Sequence, residues 1–447
     1  MTSRTVFRPY LIFLGIAFGT SLLLQMIPSI GTTFSSSASG FFLSLTLLVC
    51  AGYGIHRIAP KTDIPLYVWA LLLGIALQVP LVALTYDRSA FLVVIELLAT
   101  FVLFAGGIHM PVKHFKKYFA PIAALSLIGT ILTVLFFALI LSTLTALYGF
   151  TVPAISLLVL AAVLSSIDPT TIIPVLDHLH FRKPFLRDIA VGESAINDVV
   201  GIILTRFFLI AALGTGTVSV LSVSDAFSPL LSRATLNSIG LEIIWGILVG
   251  FLGAWILKTW GESVGKKHWS DHALFFVVPL FCFALGSLFG GAGFVAAFVA
   301  GLLFESNPNT KEVHTYFEYT IDTYIKPVVF ILLGVLTPLP ILMSTIVVGA
   351  LAALIFMFIV RPLVVYISLS PWMISKKSLL HWREALSLSF MRETGTIPAI
   401  LLLYVVASGF TDTELIYALG VWVILYTLVI EPPLTALIAK RLDIAHT

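Results

Sequence analysis

Long apolar runs recur from one end of this chain to the other, each of a length suited to crossing a bilayer. A helix needs about 20 apolar residues to span the hydrocarbon core, with some latitude for tilt. Such runs lie near residues 7–28, 40–58, 64–85, 90–109, 119–148, 152–176, 188–213, 236–258, 271–287, 290–304, 323–338, 341–369, 384–407 and 414–439. The reading is therefore an all-α integral membrane protein with about 13–14 transmembrane helices. Composition agrees, because only 11% of the residues are charged and 59% are hydrophobic. A soluble domain carries about a quarter charged residues, so lipid is the solvent here.

Charge placement sets the orientation. Most of the 25 Lys and Arg fall on alternate connections, in groups such as Lys113, Lys116 and Lys117, then Arg182, Lys183 and Arg187, then Lys376, Lys377 and Arg383. The intervening connections carry only Arg88 and Arg233. Under the positive-inside rule both termini are cytoplasmic, in a multi-pass protein of the cell membrane. Arg4 and Arg8 ahead of the first run resemble the start of a signal peptide. That run is long for one and lacks a clean cleavage site, so it reads as a retained helix. Cys50 and Cys282 both sit in apolar runs, which speaks against a disulfide framework or a metal centre. No nucleotide-binding glycine loop or Cys/His cluster is visible. Neither a cofactor nor a nucleic-acid partner is expected.

Ionisable groups at membrane depth cost about 2.5–3.5 kcal/mol each even on the lenient insertion scale. Several are kept within the spans: Glu96, Asp168, Glu193, Asp198, Glu242, Arg361, Arg392 and Glu393. Arg206, Glu242 and Glu431 are read as structural pairing or snorkelling. The densest group begins at Ser165-Ser166-Ile167-Asp168-Pro169-Thr170-Thr171. Pro169 cannot donate to the carbonyl of Ser165 and biases Asp168 out of helical geometry. Freed carbonyls at this depth are tolerated only beside protein or a wet cavity, and transporters use such breaks to coordinate ions.

The next span carries Gly192-Glu193-Ser194-Ala195-Ile196-Asn197-Asp198. At helical spacing Ser194 and Asp198 share one face, and Glu193 and Asn197 the neighbouring one. A hydroxyl, an amide oxygen and a carboxylate thus meet beside a broken helix. Hard cations seek several oxygen ligands to replace their water. One carboxylate able to hold either a cation or a proton suffices as an exchange device. A counterpart appears in the second half, where Pro398 frees the carbonyl of Thr394 within Met391-Arg392-Glu393-Thr394-Gly395-Thr396. Two interrupted helices, one per half, point to an inverted-repeat transporter. Arg361 supplies a cation able to neutralise Glu193, which would otherwise take up a proton on burial.

At these residues the chain resembles the monovalent cation:proton antiporter family, which includes NhaP-type proteins and the eukaryotic sodium/proton exchangers. The similarity runs from about residue 40 to 440 and rests on several strings together. They are Asp168-Pro169, Glu193-Ser194-x-x-Asn197-Asp198, Phe298–Leu302, Phe330–Gly334, Arg361-Pro362 and Arg392. The resemblance implies two crossed discontinuous helices and a mobile core beside dimerisation helices, in a homodimer. It implies that Asp198 is the principal cation- and proton-binding carboxylate, with Asp168 beside it in the unwound helix. Ser194 would be a side-chain ligand, Asn197 a stabilising group, and Glu193 would pair with Arg361. The Asn-Asp form is typical of electroneutral members.

The chain departs from the family pattern in three places. Ile167 stands where threonine is usual, so only its backbone carbonyl can contribute. Ala105 stands where an acid often precedes the Gly-Gly pair, leaving Glu96 either as the additional acid or as a structural partner. Residues 7–28 add a helix to the family core. The division expected is residues 1–39 as an extra N-terminal helix and loop, 40–440 as the transport domain, and 441–447 as a short cytoplasmic tail. Arg392, Glu96 and Lys326 are supporting candidates. Sodium or lithium exchange for protons is the leading reading, with potassium/proton exchange as the alternative on the same scaffold. A sodium-coupled organic-anion symporter and a non-transporting membrane sensor are the alternatives of a different class.

Overall fold

The structure is a computed structural model describing residues 3–62, 64–110, 116–167, 176, 179–214, 222–263, 272–290, 292–304, 311–374, 380–392, 394–410 and 413–446. Among the described residues the regular structure is helical apart from one short strand pair. In chain order the main helices are α1 (Ser3–Met26), α2 (Ala38–Ile58), α3 (Leu66–Ala76), α4 (Arg88–Ile108), α5 (Phe119–Leu147), α6 (Ala154–Ser165) and α7 (Phe185–Gly214). They continue with α8 (Arg233–Ser263), α9 (His272–Leu288), α10 (Gly293–Leu302), α11 (311–335) and α12 (Ile346–Ile374). The last are α13 (Trp382–Phe390), α14 (Thr396–Ala407) and α15 (Thr413–Arg441).

Polar residues mark where the apolar helices begin. Ser37 accepts from the amide of Gly40 at the start of α2, and Asp87 accepts from Ser89 and Ala90 at the start of α4. Each cap satisfies orphan N–H groups of a first turn. Two details differ from the spans read in sequence. The run 64–85 is one apolar stretch, yet α3 ends at Ala76 and the chain turns by 84° into Gln78–Leu84. The Gln78 amide donates to the carbonyls of Gly334 and Thr337, so a contact from a distant segment anchors the bend. α11 begins at Lys311, well before the apolar run at 323, because its first part is amphipathic and buries only Val313 and Phe317.

The helices pack in two sets joined chiefly through α14, which lies against α4 and α11 as well as against α6 and α15. α8, α9 and α10 pack on one another, α10 packs on α4, and α3 on α11. Two of these crossings bring backbones into contact through paired glycines. A Cβ on Gly107 would strike the carbonyl of Phe298, and one on Gly301 the carbonyl of Phe104. Gly74 and Gly334 stand in the same relation to Ile331 and Leu71. The other group is α5, α6, α7, α12, α13, α14 and α15. α1 packs against α2.

At one end of the molecule the chain terminus folds back. His180–Phe181 (β1) pairs antiparallel with Ala445–His446 (β2), and the Arg182 amide donates to the Ile444 carbonyl at 2.9 Å. Arg182 also meets Asp443 at 2.5 Å.

Candidate functional site

In both halves a helix ends where the sequence places a break. α6 stops at Ser165, and Ser166 is extended, with φ −71° and ψ 150°. Asp168, Pro169, Thr170 and Thr171 lie outside the described residues, as does Glu393. In the second half α13 ends at Phe390 and α14 starts at Thr396, so Arg392 and Thr394 sit in a non-helical link. The two breaks meet. Arg392 Nη2 donates to the carbonyls of Leu164 and Ser165 at 2.8 and 3.1 Å. Those carbonyls belong to the last turn of α6, where no intrahelical donor follows. The guanidinium therefore caps the first break from within the second, with its carbon 4.6 Å from the centre of the Phe356 ring.

α7 passes alongside, and its polar stretch faces this junction. The Ser166 hydroxyl donates to Asp198 Oδ1. The Ser194 hydroxyl donates to the Ile167 carbonyl at 2.9 Å. Asp198 is 3% exposed, and Asn197 Oδ1 is buried with no hydrogen-bond partner among the described residues. The spacing argument thus holds for Ser194 and Asp198, which reach the same broken segment from one face of α7.

Glu193 points the other way around α7. Its carboxylate pairs with Arg361 Nη2 at 2.6 Å, both residues being 1% exposed. Arg361 starts the helical stretch after a π-helical segment, Phe356–Val360, in α12. A second π-helical segment, Ala124–Gly129, carries Ser126, which donates to the Glu193 carbonyl at 3.1 Å. Such widened turns are frequent at functional sites. Here they accompany the buried ion pair.

Of two further site neighbours, Ser166 was not singled out in the sequence and Glu431 was read only as structural pairing or snorkelling. Ser166 could have been flagged, because a hydroxyl one residue inside a helix break is free of helical hydrogen bonding. Glu431 of α15 is 1% exposed and close enough to Arg392 and Arg361 to interact electrostatically with both. Nothing local in its apolar run announces that partner. Among the supporting candidates, Arg392 joins the cluster. Lys326 forms an ion pair with Asp322 one turn earlier, at 2.5 Å. Glu96 is half-buried on α4, near Arg206. Among the described residues no group of three or more His, Cys, Asp or Glu is arranged to hold a metal ion.

A buried carboxylate beside two crossed, broken helices is the arrangement to compare with known proteins. The family description "Sodium/hydrogen exchanger, transmembrane" matches residues 43–441. The chain belongs to the sodium/hydrogen exchanger family. The match covers the two breaks and every residue of the Asp198 and Glu193 clusters. It begins within α2, leaving α1 outside.

Among relatives, an uncharacterised Na+/H+ exchanger of Escherichia coli, YjcE, is 27% identical over 58% of this chain and 45% of its own. The K+/H+ antiporter NhaP2 of Shewanella sp. (strain MR-4) is 24% identical over 89% of this chain and 66% of its own. A probable Na+/H+ antiporter of Methanocaldococcus jannaschii is 25% identical over 72% of this chain and 76% of its own. This chain thus spans less than two thirds of the length of the first two. The sodium proton antiporter MjNhaP1 of M. jannaschii superposes with a TM-score of 0.71 at 20% identity, covering 90% of this chain and 99% of that one. The fold is the one seen in that antiporter, and the family is one of transporters.

Proposed function

We propose that this protein exchanges a monovalent cation for protons, with Asp198 as the carboxylate that holds each in turn. The observation that carries the reading is the setting of that carboxylate. It is almost fully buried, takes a hydrogen bond from Ser166 and stands beside a backbone break. Hydrogen bonds to the charged form favour ionisation, while burial favours the proton. A bound cation tips that balance one way and a proton the other, so the two compete for the same oxygens. Ser194, the Ile167 carbonyl and Asp168 are the further ligands we assign, and Asn197 steadies the site. Glu193 and Arg361 neutralise each other and leave Asp198 to titrate. One carboxylate then exchanges one cation for one proton, which makes the cycle electroneutral.

Sodium or lithium is the first assignment for the cation, supported by the family and by the Na+/H+ relatives. Potassium is a specific second reading, because several related Shewanella proteins are named K+/H+ antiporters. We place it in the cell membrane as a homodimer with cytoplasmic termini; the basic connections support that orientation, and the family resemblance supports the dimer.

The test is cation-induced proton movement in proteoliposomes under an imposed pH gradient, comparing sodium, lithium and potassium. Sodium-driven movement that is lost in Asp198→Asn is the expected result. Potassium-selective movement would change the substrate but keep the mechanism. Absence of cation-dependent flux in correctly inserted protein would overturn the reading.

A further inference from the structure

The exchange reading gives no role to one charged pair inside the membrane. Arg206 Nη1 of α7 donates to Glu242 Oε1 of α8 at 2.8 Å, the side chains being 25% and 18% exposed. A groove of about 340 Å³ opens between the two helices at this level. Ile203 and Phe207 line its α7 wall, and Ser238 and Ile239 its α8 wall.

The two helices belong to different packing groups. α8 is fastened to α9 and α10 through small residues: a Cβ on Gly246 or Gly250 would collide with Val295 or Val299, and one on Gly253 with Cys282. α7 packs chiefly on α5 and α6, with smaller contacts on α4, α10 and α14. The ion pair therefore bridges a gap that helix packing leaves open. Arg206 also lies within electrostatic reach of the Tyr404 side chain of α14 and of Glu96 on α4. A planar guanidinium with five donors suits a residue that serves several helices at once.

Its position along α7 is equally informative. Arg206 lies about 12 Å beyond Asp198 at 1.5 Å per residue. The basic residues Arg182, Lys183 and Arg187 cluster at the other end of this helix. The pair thus sits between the Asp198 site and the face opposite the basic connections.

We propose that the Arg206–Glu242 pair is a latch, made while the Asp198 site is closed to that opposite face and parted when α7 moves away from α8 to open it. The inference rests on the exchange reading above. Partial exposure is what a reversible latch requires. A fully dry pair would strand two charges on opening, and a fully exposed one would hold nothing. The groove lets water reach both groups as they separate.

The test places Ile203→Cys on the groove wall in a Cys50→Ala, Cys282→Ala background and reconstitutes the protein in oriented proteoliposomes. A membrane-impermeant maleimide is applied from each face. Glu242→Gln, and Glu242→Asp with its shorter reach, are expected to raise labelling from the face opposite the basic connections several-fold. The charge-swapped Arg206→Glu/Glu242→Arg protein is expected to return it toward the starting rate, and decides the matter should the single variants fail to insert. The same labelling rate in the parent and in every inserted single variant overturns the latch, as does a charge-swapped protein labelled several-fold faster than the parent. Labelling reads the gap and not the ion. A latch that opens as expected in a protein without cation-dependent flux would therefore refute the exchange reading and leave the latch standing.

Discussion

Nη2 of Arg361 lies 2.6 and 2.8 Å from the two carboxylate oxygens of Glu193, joining α12 to α7 at a depth where neither charge meets solvent. Removing one partner of such a pair strands the other, at a typical cost of about 3–5 kcal/mol. Arg361→Ala and Glu193→Ala should each lower stability by that order. The double variant Glu193→Leu/Arg361→Met, which strands neither charge, should recover much of the loss. Thermal unfolding in detergent checks this, and a double variant less stable than both singles would show that the pair is not the stabilising unit.

Ser166 gives a finer handle on Asp198. Its hydroxyl donates to Oδ1 and so favours the charged carboxylate. In Ser166→Ala the cation should bind more weakly, with the apparent KM for sodium raised about tenfold or more while maximal exchange is retained. A hydrogen bond to a charged group contributes about 1.5–3 kcal/mol, so a KM within a factor of two of the parent would exclude this role.

Arg392 holds the two breaks together through the Leu164 and Ser165 carbonyls. Arg392→Met leaves those carbonyls without their donor and should cost about 1.5–3 kcal/mol of stability. Arg392→Lys offers a compact ammonium in place of a fork and should recover only part of the loss. Melting temperatures of the three proteins decide it; equal values for Arg392→Met and the parent would sink the idea.

A pH effect is expected outside the membrane-spanning segments. Glu318, on the amphipathic part of α11, has His109 Nδ1 and His314 Nε2 at 3.1 and 2.9 Å. Burial pushes its carboxyl up, but contact with His314 and the charges of His109 and Lys326 outweigh that and hold its pKa below the ordinary value. A carboxylate depressed on folding contributes stability that is present above its unfolded pKa, about 4.3. That contribution is lost as pH falls through the lower folded value. Acidification from about pH 5 downward should therefore destabilise the parent more than Glu318→Gln. Parallel melting curves for the two proteins across that window would contradict it.

How much of this was legible beforehand depended on distance along the chain. Ser194 and Asp198 fall on one face by helical spacing alone, with Asn197 on the neighbouring face, and a proline in an apolar run marks each break. Arg361 and Glu193 are both costly charges in search of a partner, so their meeting could be anticipated from charge. Ser166 and Glu431 could not be placed, because their partners are set by how α6, α7 and α15 pack. The bend after α3 was hidden for the same reason, since it is held by carbonyls of Gly334 and Thr337, far away in sequence.

The paired glycines at Gly107–Gly301 and Gly74–Gly334 carry a consequence for variation in this chain. Any side chain at these four positions would drive two backbones apart. In a saturation screen scored by growth they should be as unforgiving as Asp198, although they offer no group to an ion. Intolerance alone would not tell cargo-handling residues from these fulcrum points. Transport assayed per molecule of correctly inserted protein would, since the glycine variants fail in assembly before any ion is handled.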